Sequence, residues 1–193
     1  MKRFDHLTTR ERRQSLQRAI ESAPDPEAIS LFAYGSLIWR PCFEVQSRCK
    51  AILHGYRRDF CVFTVEARGV PDSPGLGVGL RVNSASCEGV LLPLPKDGRS
   101  EALTSIWERE MLTAVYQPQW VSVEVDSKFT TALTFVVDES HPQCAGDLSE
   151  ETQAAMISSG VCRFFFISSL ATLRVADSHN IWYHFLGAPH CKG

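Results

Sequence analysis

The chain has 193 residues, of which 44% are hydrophobic and 22% are charged, and its formal net charge is −2. This size and composition suit one domain with a buried core, so we expect a single domain over residues 1–193. The low net charge gives no reason to expect a nucleic-acid partner, and no apolar run reaches the roughly 18 residues that would indicate a membrane partner.

The first predicted element is a helix over residues 8–22. Thr8 and Glu11 have the spacing of a capping box, and a narrow apolar stripe follows them. We therefore expect this helix to lie on the surface. A Pro-Asp-Pro break at residues 24–26 ends it, so residues 1–26 are interpreted as a helical extension and linker.

A β-type run over residues 29–34 stops abruptly at Gly35 and Ser36. A second apolar patch follows the Gly-Ser pair and is closed by Pro41. A strand that ends in such a turn presents backbone N–H groups, which can bind a carboxylate or a developing oxyanion. A strand followed by a tight turn without a ligand is the simpler alternative.

Several short strands and two further helices make up the middle of the chain. The strand candidates are residues 48–55, 57–64, 77–83, 87–94, 119–125 and 128–137. We expect residues 66–75 to form an exposed loop and residues 83–86 to form a turn, because Gly, Pro, Asp and Ser are frequent there. Asp126 and Ser127 predict a hairpin, and Ser149 caps a helix that runs toward Gly160. This mixture predicts an α+β fold with a curved, barrel-like sheet.

The helix predicted over residues 99–113 carries a carboxylate on its apolar face. Leu103, Ile106 and Trp107 lie at positions i, i+3 and i+4 of one stripe, and Glu110 occupies position i+7. A charge in a core stripe is costly unless it is paired or neutralised. Glu110 is therefore either paired with a buried arginine or retained because chemistry needs it.

Two interpretations of Glu110 stay open at this point. A structural ion pair with Arg57, Arg58 or Arg81 is one. Catalysis is the other, because burial raises the pKa of a carboxyl group toward neutrality, where a general acid or base works best.

The cysteines bear on location and on metal binding. There are seven, an odd count, and no Cys-x-x-Cys pattern occurs. This usage favours free thiols and a cytoplasmic location over a disulfide framework. A zinc site needs closely spaced ligand pairs, and the nearest approach to one is His190 with Cys191, so we expect no metal site.

Three stretches in a fixed order resemble a known family. They are residues 32–41 (FAYGSLIWRP), 54–58 (HGYRR) and 107–111 (WEREM). Further agreement lies at Tyr116, Pro118 and Trp120, at residues 132–135, and at His141 and Pro142. Over roughly residues 29–142 the chain resembles the ChaC family of γ-glutamylcyclotransferases. Glu110 stands where that family keeps its catalytic glutamate.

The resemblance implies a fold, a reaction and a site. The fold would be a γ-glutamylcyclotransferase-like small mixed β-barrel flanked by helices. The reaction would cleave glutathione to 5-oxoproline and cysteinylglycine without a metal or cofactor, and Glu110 would act as the general acid and base. The residues assigned to substrate binding are Ala33, Tyr34, Gly35, Ser36, Leu37, Ile38 and Tyr116.

The chain departs from the family pattern after Gly160. A tyrosine position of the family aligns with Phe165 or, in a rival alignment, with Tyr183. Because a missing hydroxyl would alter substrate preference, two alternatives stay open. The first is a cyclotransferase for other γ-glutamyl peptides or amines, against which Leu37 speaks because those relatives commonly have Asn there. The second is a catalytically idle γ-glutamyl-binding module.

Overall fold

The computed structural model describes residues 4–70 and 72–159, so Phe165 and Tyr183 lie outside the described residues. The elements are α1 (Thr9–Glu21), β1 (Ser30–Ala33), a short 3-10 helix (Ser36–Ile38), β2 (Cys49–Val70), β3 (Ser73–Pro93), α2 (Arg99–Glu110), β4 (Tyr116–Val125), β5 (Lys128–Val137) and α3 (Glu150–Ser159). The strands form a closed barrel in the order β1-β3-β2-β4-β5. The predicted α+β fold with a barrel-like sheet is confirmed.

Strand β1 is buried on both faces, and this burial organises the barrel. It pairs antiparallel with β3 and parallel with β5, where Leu31 faces Leu133 and closes the barrel. Leu31 and Ala33 belong to the hydrophobic cluster that contains the buried residues of α2, whereas Phe32 and Tyr34 belong to the cluster of the barrel strands. The alternation of a strand therefore brings one side of β1 to the helix and the other into the barrel.

Helix α1 begins with the capping box that the sequence predicts. The Glu11 amide donates to Thr8 Oγ1 at 3.2 Å, and the Thr8 amide donates to Glu11 Oε2 at 2.8 Å. Ala19 is the buried residue of the helix, which agrees with the predicted surface position. The indole N–H of Trp107 donates to Ser15 Oγ at 3.2 Å, so α1 is attached to α2.

Strands β2 and β3 form one long hairpin, which the sequence-based prediction divided wrongly. The predicted loop over residues 66–75 is mostly strand, because Gly69 pairs with Pro74 and Val70 with Ser73. The predicted turn over residues 83–86 is also part of β3. Both stretches are rich in residue types that favour loops and turns, yet here they continue the strands. Gly55 has a φ of 83° at a shift in register, so β2 bends there without ending.

Helix α2 buries the predicted stripe but ends at Glu110, three residues before the predicted end. Leu103, Ile106 and Trp107 are buried, and the Trp107 ring meets the Phe135 ring edge-on at 5.3 Å. The chain leaves the helix at Met111, and the carbonyl of the following residue, Leu112, accepts the amide of Leu7 at 2.8 Å. Glu110 is therefore the last residue of α2.

Two other expectations concern cysteines and membranes. The described free cysteines are Cys42, Cys61, Cys87 and Cys144, whereas Cys49 is disulfide-bonded, in contrast to the expectation of free thiols. Among the described residues, no helix is both long and apolar enough to cross a membrane.

The close approach of β1 and β3 depends on a glycine. A Cβ atom at Gly89 would lie 2.6 Å from the Ala33 carbonyl oxygen and 2.6 Å from Phe32 Cζ. At Gly77, on the same strand, the nearest atom would be the Val62 oxygen at 3.5 Å, an ordinary contact. We expect Gly89→Ala to lower the free energy of unfolding by about 1–3 kcal/mol through overpacking, and Gly77→Ala to change it by less than about 0.5 kcal/mol. Urea unfolding of both variants measures this difference, and equal effects would contradict the packing described for β1.

Candidate active site

The segment after β1, here called the β1 turn (residues 34–38), leaves the barrel by a tight turn. The Tyr34 side chain is buried, and its hydroxyl donates to the Phe135 carbonyl at 2.8 Å. The hydrogen bonds of the 3-10 helix begin with the Ile38 amide, which donates to the Gly35 carbonyl at 3.0 Å. The amides of residues 35–37 precede that bond, so they have no partner inside the 3-10 helix.

The space beside Gly35 is open. A Cβ atom built there would meet no atom of the described residues within 4 Å. Ser36 is exposed, whereas Ala33, Leu37 and Ile38 are buried in the hydrophobic cluster shared with α2. A ligand at this turn would therefore meet backbone groups and the Ser36 side chain.

An arginine of β2 contacts the β1 turn from the barrel side. Arg58, on β2, donates from Nε to the Tyr34 carbonyl at 2.6 Å and from Nη2 to the Glu88 carbonyl. Burial lowers the pKa of Arg58, whose guanidinium thus sits in a poorly solvated position. The position of the Tyr34 carbonyl is fixed by this contact.

Glu110 lies at the carboxyl end of α2 with its side chain 15% exposed. Burial raises the pKa of this carboxyl group, and the positive charge of Arg109 opposes the rise. The end of a helix also disfavours negative charge, because the partial charge of the helix dipole is negative there. The net direction is upward, as the sequence predicts for a carboxylate in a core stripe.

Arg109 connects Glu110 to the β1 turn. Its Nε lies 3.4 Å from Glu110 Oε1, and its Nη2 donates to Ser36 Oγ at 2.7 Å. Its Nη1 donates to the Arg40 carbonyl and contacts Cys42 Sγ at 3.7 Å. One guanidinium group thus touches both the predicted catalytic carboxylate and the predicted binding turn, so the structure brings the two together.

The ion-pair partners considered for Glu110 from the sequence are wrong. Arg81 pairs with Asp59, Glu139 and Asp147, and Arg57 pairs with two of the same carboxylates. Arg58 is engaged by backbone carbonyls, as described above. The ion pair of Glu110 is with its neighbour Arg109, and no regular spacing in the sequence indicates this.

Tyr116, on β4, and Tyr34 both lie within the electrostatic reach of Glu110. The Tyr116 hydroxyl donates to the Val78 carbonyl at 2.8 Å, much as Tyr34 donates to Phe135. Burial raises the pKa of both phenols, and the negative charge of Glu110 contributes to each rise. Both phenols therefore stay neutral near the carboxylate, and each donates its proton to a backbone carbonyl.

A cavity near the start of α2 lies apart from the predicted site residues. A cavity of about 440 Å³ lies between residues 42–46 and the start of α2, and none of the predicted site residues lines it. In the part of the chain that the structure describes, no group of three or more His, Cys, Asp or Glu side chains could hold a metal ion.

Comparison with known proteins finds one family along most of the chain. The profile of a family described as ChaC-like protein matches residues 29–163. The glutathione-specific gamma-glutamylcyclotransferase of Escherichia coli (strain K12) is 32% identical over 148 residues, which are 76% of this chain and 64% of that protein. The chain thus spans less than two thirds of that relative. The glutathione-specific gamma-glutamylcyclotransferase 1 of Rattus norvegicus is 32% identical over 79% of this chain and 70% of its own.

Solved structures support the fold. The glutathione-specific cyclotransferase from yeast superposes with a TM-score of 0.63 at 18% identity, covering 68% of this chain and 78% of its own. The protein YkqA from Bacillus subtilis superposes with a TM-score of 0.52 at 19% identity, covering 91% of this chain and 60% of its own. Both are similar to this chain in the path of the backbone.

The raised pKa of Glu110 has a consequence for stability that can be measured. The folded state binds the proton more tightly than the unfolded state, whose carboxyl group titrates near the ordinary value of 4.5. The contribution of Glu110 is therefore most favourable below that value and is lost as the pH rises through the raised pKa. The free energy of unfolding of Glu110→Gln, minus that of wild type, should therefore increase from about pH 4 to about pH 8. Urea unfolding of both proteins at the two pH values measures this change.

The exposed Glu108, two residues earlier, provides the matched control. Glu108→Gln should show no comparable change with pH. A stability difference for Glu110→Gln that is constant with pH, or that changes in the opposite direction, would contradict the burial of an ionisable Glu110.

Proposed function

The chain belongs to the ChaC-like family, and from this premise we propose that it is a γ-glutamylcyclotransferase that cleaves glutathione to 5-oxoproline and cysteinylglycine. The names of the relatives support glutathione as the substrate. The observation that carries the proposal is the largely buried carboxylate of Glu110, which one guanidinium connects to Ser36 in the β1 turn.

The γ-glutamyl end of the substrate would bind at the β1 turn. Its α-carboxylate carries a negative charge, and the amides of residues 35–37 are donors without a partner inside the 3-10 helix. The open space beside Gly35 lets a ligand approach that backbone. Ala33, Leu37 and Ile38 would act through their backbone, since their side chains are buried in the core.

The tyrosines would shape the pocket around the reacting atoms. Tyr34 and Tyr116 already donate their hydroxyl protons to carbonyl groups of the fold, each at 2.8 Å. Their hydroxyls are thus held in place, and their raised pKa values keep them protonated. They would position the γ-glutamyl group rather than exchange protons with it.

The chemistry requires one group that can accept a proton and return it. Near pH 7 the substrate α-amine is mostly an ammonium group, so the Glu110 carboxylate would first take a proton from it. The freed amine attacks the γ-carbonyl carbon and closes the five-membered ring of 5-oxoproline. The bond to the cysteinyl nitrogen breaks, and that nitrogen takes the proton from Glu110. The attacking nitrogen loses a second proton as the lactam forms, and the Glu110 carboxylate accepts this proton and passes it to the amine of cysteinylglycine, which leaves as an ammonium group. No water is consumed, and Glu110 ends the cycle ionised.

The reaction suits a site that supplies little beyond orientation and a proton carrier. The nucleophile and the electrophile belong to one molecule, and well-oriented intramolecular reactions reach effective molarities of about 10⁵–10⁸ M. A carboxyl group whose pKa is raised by burial is suited to both proton steps, because its two protonation states are closer in free energy near neutral pH.

The proposal has corollaries for cofactors, partners and organisation. It needs no metal or cofactor, and its partner is a small molecule, with neither nucleic acid nor membrane involved. A cytoplasmic location follows from the substrate. We treat residues 1–193 as one domain in which residues 1–26 are an extension, attached where Trp107 of α2 donates to Ser15 of α1.

Loss of the Glu110 carboxylate should abolish most of the turnover. We expect Glu110→Gln to lower kcat for 5-oxoproline formation from glutathione by about 10²–10⁴-fold, the usual contribution of a general acid or base. Glu108→Gln, on the exposed side of the same helix, should keep wild-type activity. The two rates are measured by chromatography of 5-oxoproline. Undiminished product with Glu110→Gln would disprove the assigned role.

A substrate panel distinguishes the proposed reaction from its alternatives. We expect N-acetylglutathione to give no 5-oxoproline, because acylation removes the nucleophilic lone pair of the α-amine. Glutathione should be used in preference to other γ-glutamyl peptides and γ-glutamyl amines. Faster turnover of a γ-glutamyl amine would favour the broader cyclotransferase. Binding of glutathione in calorimetry without any product would favour an idle binding module.

A further inference from the structure

The guanidinium group of Arg109 makes more contacts within the protein than a surface arginine that only faces solvent. Its contacts are Glu110 Oε1 near Nε, the Arg40 carbonyl and Cys42 Sγ near Nη1, and Ser36 Oγ near Nη2. A guanidinium group has five N–H donors in a rigid fork, and here it makes three hydrogen bonds and one ion pair within the protein. The side chain is 32% exposed, so the fork lies at the rim of the candidate site.

We propose that Arg109 is a positioning residue whose guanidinium fixes the Glu110 carboxylate against the β1 turn. The inference rests on the proposed function, because it assigns Arg109 a part in the same reaction. Arg109 would not itself be the receptor of the substrate carboxylate, since most of its donors are already used within the protein. Its role is to hold Glu110 and the β1 turn in a fixed position relative to each other.

The contacts of Arg109 lie at both ends of the 3-10 helix. Ser36, whose hydroxyl accepts from Nη2, is the first residue of that helix, and the Arg40 carbonyl lies two residues beyond its end. The amides of residues 35–37, which are proposed to bind the γ-glutamyl group, adjoin the Ser36 contact. A change in the Arg109 side chain would therefore move the substrate and the proton carrier relative to one another, and a displacement of about 1 Å is enough to slow an oriented reaction strongly.

Arg109 also sets the charge balance around Glu110. Among the residues that the structure describes, the ionisable groups that interact with this carboxylate are Arg109 from α2, Tyr34 from the β1 turn and Tyr116 from β4. Both phenols stay neutral, so Arg109 supplies the positive charge that limits the rise in the pKa of Glu110. Without that charge, burial acts unopposed, and a smaller fraction of Glu110 is ionised and able to accept the proton from the α-amine.

Two substitutions separate charge from geometry. Arg109→Gln removes the charge, so the acid limb of its kcat/KM profile should move to higher pH than that of wild type. Its kcat/KM should be about tenfold or more below wild type in the acid limb, and this loss should shrink as the pH rises until only the geometric loss remains. Arg109→Lys keeps the charge but loses the fork, so its kcat/KM should be reduced by a factor that does not change with pH.

Arg99 on the same helix is the matched control. It donates to the carbonyls of Pro26 and Glu27, each at 2.6 Å, at the opposite end of α2 from Glu110. Arg99→Gln therefore removes a comparable set of structural contacts. We expect its pH profile to have the wild-type shape. A loss for Arg109→Gln that is the same at every pH, or an equal limb shift for Arg99→Gln, would overturn the proposal.

A measurement without turnover keeps this test separate from the proposed function. If wild type forms no 5-oxoproline from glutathione, the proposed function fails. The titration of Glu110 can still be followed by carbon-13 NMR of its side-chain carboxyl group, assigned by its absence in Glu110→Gln. The Glu110 signal should titrate at higher pH in Arg109→Gln than in wild type. An unchanged titration would overturn the role of Arg109 whatever the substrate.

A double-mutant cycle decides the matter if Arg109→Gln does not fold. Ser36→Ala and Arg109→Lys each remove one side of the contact between Ser36 Oγ and Nη2. If Ser36 acts through Arg109, the double variant should lose no more kcat/KM than the worse single variant. Fully additive losses would show that the two side chains act independently and would contradict the proposal.

Discussion

The burial of β1 on both faces is the constraint on which the candidate site depends. Leu31 and Ala33 pack with α2, and Phe32 and Tyr34 pack with the barrel strands, so neither face can shift without disturbing a core. The barrel closes through the pairing of β1 with β5, and α2 is seated where Trp107 meets Phe135 of β5. The turn after β1 and the carboxyl end of α2 are therefore held in a fixed relation.

This arrangement places an ionisable group where the fold would be more stable without one. Glu110 continues the apolar stripe of α2, its side chain is 15% exposed, and burial raises its pKa. Arg109 offsets part of this cost, and it does so with a group that also contacts the β1 turn. A buried carboxylate close to a turn whose first amides have no partner inside the 3-10 helix is the pattern expected where local stability is given up for chemistry.

The sequence predicts those parts of the structure that short-range periodicity controls. Helix α1 with its capping box, the apolar stripe of α2 and the hairpin at Asp126 and Ser127 all follow from spacings of a few residues. The long β2–β3 hairpin was missed, because residues 66–75 and 83–86 are rich in residue types that favour loops and turns although both stretches lie mostly within the strands. Pairing over many residues, rather than local propensity, makes it one continuous hairpin.

Some residues of the candidate site also follow from local sequence patterns, whereas others depend on contacts between distant parts of the chain. The position of Glu110 follows from helical spacing, and the β1 turn follows from the Gly-Ser pair, but the roles of both remain predictions. Arg109 and Arg58 could not be singled out, since their contacts with Ser36 and with the Tyr34 carbonyl join distant parts of the chain. The choice between Phe165 and Tyr183 lies outside the described residues.

One substrate molecule is expected to contact the β1 turn and Glu110 together. A crystal structure of Glu110→Gln with glutathione bound would test it most directly, because this variant should bind the substrate without consuming it. We expect the α-carboxylate of glutathione at the amides of residues 35–37 and its α-amine beside the residue 110 side chain. Glutathione bound elsewhere, such as in the cavity beside residues 42–46, would contradict the account.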